Sequence, residues 1–179
     1  MTEKTDTAAP VCRENRESPI ILSTRRMRLS LMSNEELAAL SREWAATDPE
    51  LSGAYAEMEA LCRAHLAARL FYTSFRFTLA DGGVTVGDAG FKGPPRDGIV
   101  EVGYGVLPAF EGHGYATEGV AALCRFAFRA GGARFVEAET APDNRASQRV
   151  LAKLGFRPTG ENGAEGPRFR LAQEDLCDL

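Results

Sequence analysis

The chain has 179 residues, of which 44% are apolar, and its formal net charge is -4 at pH 7. This length is sufficient for one well-buried core and short for two, so we expect a single domain. The acidic balance, with an isoelectric point near 5.3, argues against nucleic acid or an anionic membrane as a partner.

Cysteine spacing and hydropathy favour a cytoplasmic protein. The four cysteines, at positions 12, 62, 124 and 177, form no CxxC or metal-binding spacing. Cys62 and Cys124 lie inside helical patterns, where a reduced cysteine packs as a small apolar side chain. No apolar run approaches the roughly 18 residues that span a bilayer, and the N-terminus, MTEKTDTAAP, is polar rather than signal-like. We expect neither a metal site nor a membrane segment.

The pattern along the chain predicts a flexible tail at 1–19, which is rich in charge, Thr, Ala and Pro, followed by one domain at 20–179. In chain order, the predicted elements are a strand at 26–32, helices at about 34–45 and 54–70, strands at 75–80, 84–92 and 99–107, a helix at 117–130, a strand at 134–140, a helix at 144–154 and a strand at 167–172. This order is typical of a mixed sheet with helices, an α+β layout.

Local signals fix several of these boundaries. Ser33 and Glu36 form a capping box that predicts the start of the first helix. The turn residues at 81–83 connect two strands as a hairpin. Gly131–Gly132 and Gly155 are expected to end the third and fourth helices, because glycine accepts the left-handed backbone found there.

A loop containing Gly112 and Gly114 separates an alternating segment from a helical pattern. Loop amides and the open N–H groups at a helix start bind an anion such as a diphosphate without a basic side chain. The dinucleotide fingerprint GxGxxG is incomplete, since Thr117 stands in place of its third glycine, and no GxxxxGK[ST] motif is present. A tight turn into a packed helix is the alternative explanation for the two glycines alone.

The segments EVGYGVLPAFEGHGYATEGV and RFVEAETAPDNRASQRVLAKLGF resemble the GNAT acetyltransferases, in particular their RimJ/RimL-like branch, which includes ribosomal-protein-alanine N-acetyltransferases. The resemblance extends to LSTRRMRLSLMSNEELAAL and covers about 20–172. It implies a mixed, mostly antiparallel central sheet of six to seven strands with helices on both faces. It also implies acetyl-CoA as the cosubstrate and a primary amine, of a protein N-terminus or a small molecule, as the acceptor.

In that family a loop of pattern [Q/R]-x-x-G-x-[G/A] binds the pyrophosphate of acetyl-CoA through backbone amides. Glu111 stands in place of the family's Gln or Arg, which predicts weaker CoA binding because it removes a donor and adds a negative charge. His113 either contributes a donor or is an exposed loop histidine. By resemblance, the loop and helix start place six residues at the cofactor: Gly112, His113, Gly114, Tyr115, Ala116 and Thr117.

The preceding strand corresponds to the family's splayed strand, whose free amides bind the pantetheine arm and polarise the thioester carbonyl. Gly103, Tyr104 and Gly105 occupy it, and two glycines in a strand fit a bulge or the close approach of a ligand. Asn144 corresponds to a residue that hydrogen-bonds the pantetheine, and it is also a predicted helix N-cap.

Attack of an amine on a thioester requires a base or a water relay, because an alkyl ammonium must first lose a proton. Glu101 stands about where many family members carry a catalytic glutamate, and strand alternation puts it on the face of Gly103 and Gly105. A solvated strand glutamate is the alternative, and Glu161 and Glu165 are weaker candidates for the base.

The departing CoA thiolate needs a proton donor, for which many family members use a tyrosine. That position is Leu151 here, whereas the RimJ/RimL-like pattern N-x-x-S, which reads NRAS in this chain, places Ser147 near the sulfur. Arg149 and Lys153 lie four residues apart on the same helix and either meet a CoA phosphate or form a solvated face.

The sequence is therefore compatible with three functions. The leading one is an acetyl-CoA-dependent N-acetyltransferase that works by direct attack in a ternary complex, as a monomer or homodimer. A non-catalytic acyl-CoA-binding module is the alternative, and a nicotinamide-dependent reductase is disfavoured by the missing glycine. The acceptor is expected between the first two helices and the final hairpin, beside carboxylates that suit a cationic amine or are plain surface. The residues expected there are Trp44, Asp48, Glu50 and Tyr55.

Overall fold

The computed structural model describes residues 20–177, so the predicted tail and Cys12 lie outside the described residues. The strands are β1 (Ile21–Ser23), β2 (Met27–Leu31), β3 (Ser74–Leu79), β4 (Thr85–Phe91), β5 (Ile99–Val106), β6 (Phe135–Glu139), β7 (Arg157–Asn162) and β8 (Pro167–Ala172). The α-helices are α1 (Asn34–Trp44), α2 (Pro49–Ala64), α3 (Tyr115–Arg129) and α4 (Arg145–Lys153). No helix among the described residues is long and apolar enough to cross a membrane.

The strands form one sheet in the order β1-β2-β3-β4-β5-β6-β8-β7. Every neighbouring pair is antiparallel except β5 and β6, which confirms the predicted α+β fold with a mixed, mostly antiparallel sheet. The expected six to seven strands fall short of the observed eight, because β1 and β7 carry weak sequence signals. The three residues of β1 are too few to show alternation, and β7 contains Pro158 and Gly160, which are typical of turns.

The helix ends follow local capping chemistry. The predicted capping box of α1 is confirmed, since Ser33 Oγ accepts from the Glu36 amide at 3.2 Å and Glu36 Oε2 accepts from the Ser33 amide at 2.7 Å. Helix α2 begins at Pro49, earlier than the predicted start near 54, because Asp48 Oδ1 caps the Leu51 amide at 2.9 Å. Proline at the first helical position strengthens this early start.

Helices cover both faces of the sheet, as predicted. Phe75 and Phe77 of β3 are fully buried on the side of α3. A Cβ atom added to Gly119 of α3 would lie 2.2 Å from Phe77, so the helix backbone rests directly on that ring. Between these two aromatic residues, Arg76 points to the other face, where its Nη1 donates to Glu36 Oε1 of α1 at 2.6 Å.

Strands β5 and β6 separate after a short stretch of parallel pairing. They pair at only three positions, from Ile99 opposite Phe135 to Glu101 opposite Glu137. In β5, the Glu101 carbonyl accepts from the Lys92 amide and the Leu107 amide donates to Val86, both at 2.9 Å, so odd-numbered residues direct their backbone groups towards β4. By alternation, the backbone groups of 104 and 106, beyond the last pair at Glu101 and Glu137, face the opening beside β6.

Candidate active site

The glycine loop leads directly into α3. Gly112 and Gly114 have φ angles of 75° and 80°, in the left-handed region that favours glycine. Gly114 is the N-cap of α3 and supplies no capping side chain. The amides of the first helical turn, at 115–117, therefore point out of the helix start and can donate to an anion.

These amides border a cavity of about 660 Å³, the α3–α4 cavity, which lies between the loop, the end of β5 and the first turns of α4. Its volume suits a small-molecule ligand. Nine of the predicted site residues line it: Tyr104, Gly105, Gly112, Gly114, Tyr115, Ala116, Thr117, Asn144 and Ser147. Arg149 and Lys153 line it as well, whereas Gly103 and His113 are not among its lining residues.

The side chain of His113 is engaged by the loop itself. Its Nδ1 lies 2.8 Å from the Glu111 carbonyl oxygen, and its ring stacks on Tyr115 with the centroids 5.8 Å apart. This geometry favours a role for His113 in shaping the loop over direct contact with a ligand.

Arg26, just before β2, braces the loop from outside and was not singled out from the sequence. Its Nη1 donates to the His113 carbonyl at 2.9 Å, its Nε pairs with Glu118 Oε2 at 2.7 Å, and its guanidinium lies 4.6 Å from the centre of the Tyr115 ring. Burial raises the pKa of Glu118, but hydrogen bonds from Thr24 and Arg26 outweigh it and hold that pKa below its usual range. Arg26 thus links the loop to α3, and no local sequence motif predicts this contact.

Ser147 and Tyr104 meet at the inner end of the α3–α4 cavity. The predicted N-cap is present, since Asn144 Oδ1 accepts from the Ser147 amide at 3.0 Å. The hydroxyl oxygens of Tyr104 and Ser147 are 2.8 Å apart, and either can be the donor. Burial raises the pKa of Tyr104 to about 12, so the phenol is neutral at pH 7. Leu151, at the family's tyrosine position, is completely buried and carries no donor.

Glu101 lies on the opposite face of β5 in a network of charges. Lys92 Nζ is 3.0 Å from Glu101 Oε1 and also pairs with Glu165 of the β7–β8 hairpin, while Arg168 Nη2 is 3.9 Å from Glu101 Oε2. Burial lowers the pKa of Lys92, but the hydrogen bonds that its ammonium donates to Glu165 and Glu101 outweigh it and raise that pKa above its usual value. Glu161 is exposed on β7. The structure therefore links two of the three candidate bases through one lysine.

A second cavity, of about 520 Å³, lies between the sheet and the first two helices, and we call it the α1–α2 cavity. Trp44, Asp48 and Tyr55 line it as expected, whereas Glu50 is not among its lining residues. Gly105 and Val106 line both cavities, which therefore meet at the end of β5.

The junction has room for reacting groups. A Cβ atom added to Gly105 would meet no atom within 4 Å. Asp88 pairs with Gly105 across β4 and β5, and its Oδ2 accepts from the Tyr55 hydroxyl at 2.6 Å. Burial raises the pKa of Asp88 above its usual range, although hydrogen bonds from Tyr55 and Ser74 and the charge of Arg76 lower it. Sequence reasoning missed Asp88, although an acidic residue inside the alternating segment VTVGDAGFK was an available signal.

Comparison with known proteins identifies the family of this chain. The model of the acetyltransferase (GNAT) domain matches residues 26–157, most of the described chain. The chain belongs to the GNAT acetyltransferase family. It is an N-acetyltransferase enzyme, and acetyl-CoA is its cosubstrate, as the sequence resemblance implies. Among curated proteins, none matches the sequence.

Solved GNAT structures share this fold. An acetyltransferase from Agrobacterium tumefaciens is 23% identical with a TM-score of 0.66, over 90% of this chain and 99% of that one. RimJ from Mycobacterium smegmatis, in complex with CoA-disulfide, is 21% identical with a TM-score of 0.66, over 89% and 90% of the two chains. A ribosomal-protein-S5-alanine acetyltransferase from Vibrio fischeri is 17% identical with a TM-score of 0.64, over 89% and 100%. At these identities the likeness establishes the fold.

The loop geometry predicts that Gly114→Val abolishes most acetyl-CoA binding, because a branched side chain at the helix start would obstruct the amides. In the parent, acetyl-CoA at about 100 times its dissociation constant should add about 2.7 kcal/mol of stability. That corresponds to roughly 5 to 10 °C in melting temperature for a chain of this size. Gly82→Val is the matched control, since Gly82 has a φ angle of 79° in a distant turn with open space around it. Both variants should lose similar intrinsic stability, and only Gly114→Val should lose the shift caused by acetyl-CoA.

Proposed function

We propose that the chain transfers the acetyl group of acetyl-CoA to a primary amine by direct attack in a ternary complex. The observation that carries this proposal is the meeting of two cavities at Gly105 and Val106, one on each face of β5. Donor and acceptor can therefore be bound at the same time. None of the three cysteines in the described part of the chain lines either cavity, which favours direct transfer over a cysteine-bound acetyl group.

The α3–α4 cavity has the donor set that acetyl-CoA requires. We propose that the amides at 115–117 bind the diphosphate. Arg149 and Lys153 would supply positive charge in place of the family's Gln or Arg, whose position is occupied here by Glu111. The Tyr104 amide, which faces the opening beside β6, would hydrogen-bond the arm or the carbonyl of the cofactor. Asn144 borders the same space. When bound, acetyl-CoA supplies the activated thioester on which the transfer depends.

Glu101 is the proposed base, acting on the acceptor ammonium directly or through water. Its ion pair with Lys92, at 3.0 Å, holds the carboxylate on the same face of β5 as Gly105, and Glu101 itself is not among the residues that line either cavity. Asp88 is a second candidate, because it lies opposite Gly105 at the junction of the cavities. Substitution of each carboxylate in turn distinguishes these two candidates for the base.

Glu101→Gln should lower kcat/KM for the amine by about 100-fold or more, as expected for loss of a general base, with acetyl-CoA affinity unchanged. Glu161→Gln, on an exposed strand of the same region, is the control and should retain the parental rate. A parental rate for Glu101→Gln, together with a large loss for Asp88→Asn, would move the base to Asp88.

Ser147 is the proposed donor to the departing sulfur. If Tyr104 donates its proton to Ser147 Oγ, the serine proton is free to point into the α3–α4 cavity. Ser147→Ala should therefore lower kcat about 10- to 100-fold with little change in acetyl-CoA affinity, the sign of an interaction made mainly in the transition state. The helix cap should survive, because Asn144 bonds the backbone amide of this residue rather than its hydroxyl.

Tyr104→Phe tests whether the Tyr104 hydroxyl acts through its hydrogen bond with Ser147. It should cause a smaller loss than Ser147→Ala, and the double variant should be no slower than Ser147→Ala alone, since the two hydroxyls act in series. Independent, additive losses would show that Tyr104 does not act through Ser147. Unchanged kcat in Ser147→Ala would leave solvent as the donor.

The function itself is tested by release of free CoA thiol over a panel of amines. The panel should include small amines and a peptide that begins with alanine, since the acceptor is either a small molecule or a protein N-terminus. Acetyl-CoA should raise the melting temperature, and thiol release should depend on the amine. A shift with acetyl-CoA but no release with any amine would favour a non-catalytic acyl-CoA-binding module. A shift with NADPH alone would favour a reductase.

A further inference from the structure

The α1–α2 cavity is negatively charged. Glu43, Asp48 and Asp88 line it, and Arg76 is the only basic residue among its lining residues. The Arg76 guanidinium is already paired with Glu36 of α1 at 2.6 Å, so its charge is largely offset. A ligand in this cavity therefore meets a surplus of carboxylates, which favours a cation.

The carboxylates stand on two different walls. Asp88 belongs to β4 and lies beside the junction with the α3–α4 cavity. Glu43 and Asp48 come from the end of α1 and the start of α2, across the cavity from the sheet. Asp48 uses Oδ1 to cap the Leu51 amide at 2.9 Å, and within the described chain its Oδ2 has no hydrogen-bond partner. One cation at the junction and a second beside the helices would each find a carboxylate.

The remaining wall is apolar. Met32, Leu40, Trp44 and Leu51 line the space between the two groups of carboxylates. Methylene groups pack favourably against such side chains. At about 520 Å³ the cavity has the size of a small-molecule site.

Provided that the chain acetylates amines as proposed above, we infer that its acceptor is a small aliphatic molecule with two positive charges separated by an apolar spacer. One ammonium group loses a proton to the protein base, and the neutral amine forms a C–N bond with the acetyl carbon. As the C–S bond breaks, the nitrogen loses a second proton and the departing thiolate gains one, so CoA leaves as the thiol. The second ammonium is unchanged and stays beside Glu43 and Asp48.

Three amines of equal chain length test this assignment. Cadaverine carries two amino groups, its amino alcohol analogue replaces one of them with a hydroxyl, and its amino acid analogue replaces it with a carboxylate. We expect kcat/KM for cadaverine to exceed that for the amino alcohol by about 10- to 100-fold, and we expect the amino acid to be the slowest substrate. This difference is larger than the one expected simply because cadaverine has two reactive amino groups instead of one. The preference should fall as ionic strength rises, because exposed parts of the cavity are screened by salt.

Variants of the helix wall assign the preference to named side chains. Glu43→Gln combined with Asp48→Asn should reduce the ratio of kcat/KM for cadaverine to kcat/KM for the amino alcohol. The ratio should then be near the value expected from the number of amino groups alone. Asparagine is a good N-cap, so α2 should be retained. Glu50→Gln is the control, since Glu50 is an exposed carboxylate on α2 outside the cavity, and it should leave the ratio unchanged.

Equal kcat/KM for cadaverine and the amino alcohol would overturn the inference, and so would faster transfer to a peptide that begins with alanine. Calorimetric titration of the CoA-saturated protein separates this failure from failure of the proposed function. If cadaverine binds more tightly than the amino alcohol but no thiol is released, the dication site would be retained and the transferase function rejected. Thiol release without any preference for the dication would retain the function and reject the site.

Discussion

The short pairing of β5 with β6 is the constraint on which the rest of the site depends. Two parallel strands that separate after three residue pairs leave backbone donors and acceptors without a strand partner at the centre of a sheet. Such groups are costly unless water or a ligand satisfies them. A molecule with its own amide groups, such as the pantetheine arm of CoA, can take the place of the missing strand. The opening is therefore an interruption of the sheet and the surface at which we propose that the cofactor binds.

Alternation along β5 then divides the chemistry between two sides. Tyr104 turns towards α4 and meets Ser147, while Gly105 turns towards α1 and α2 and opens onto the second cavity. In the proposed ternary complex this strand separates the two substrates, which can meet only at the end of β5 where the two cavities join. A side chain larger than hydrogen at 105 would occupy that contact point.

Features determined by neighbouring residues were predictable from the sequence. The capping box at Ser33, the cap at Asn144 and the left-handed glycines after the third and fourth helices, Gly132 and Gly155, each depend on a few adjacent positions, and all three features are present. Contacts between distant segments were not predictable, because no local pattern encodes them. The bond from Tyr55 to Asp88 joins a helix to a strand, and the β7 edge depends on pairing with β8 rather than on its own residues.

The brace formed by Arg26 has a consequence for the order in which the molecule assembles. Arg26 and Glu118 are 92 residues apart, so their contact closes a long loop and forms only when both ends of that loop are in place. Contacts of such sequence separation are slow to form in folding. The loop at 111–114, which is proposed to bind the diphosphate, can therefore take its final shape only after the first strands have docked on α3. Competence to bind the cofactor should arise late, as a property of the completed fold.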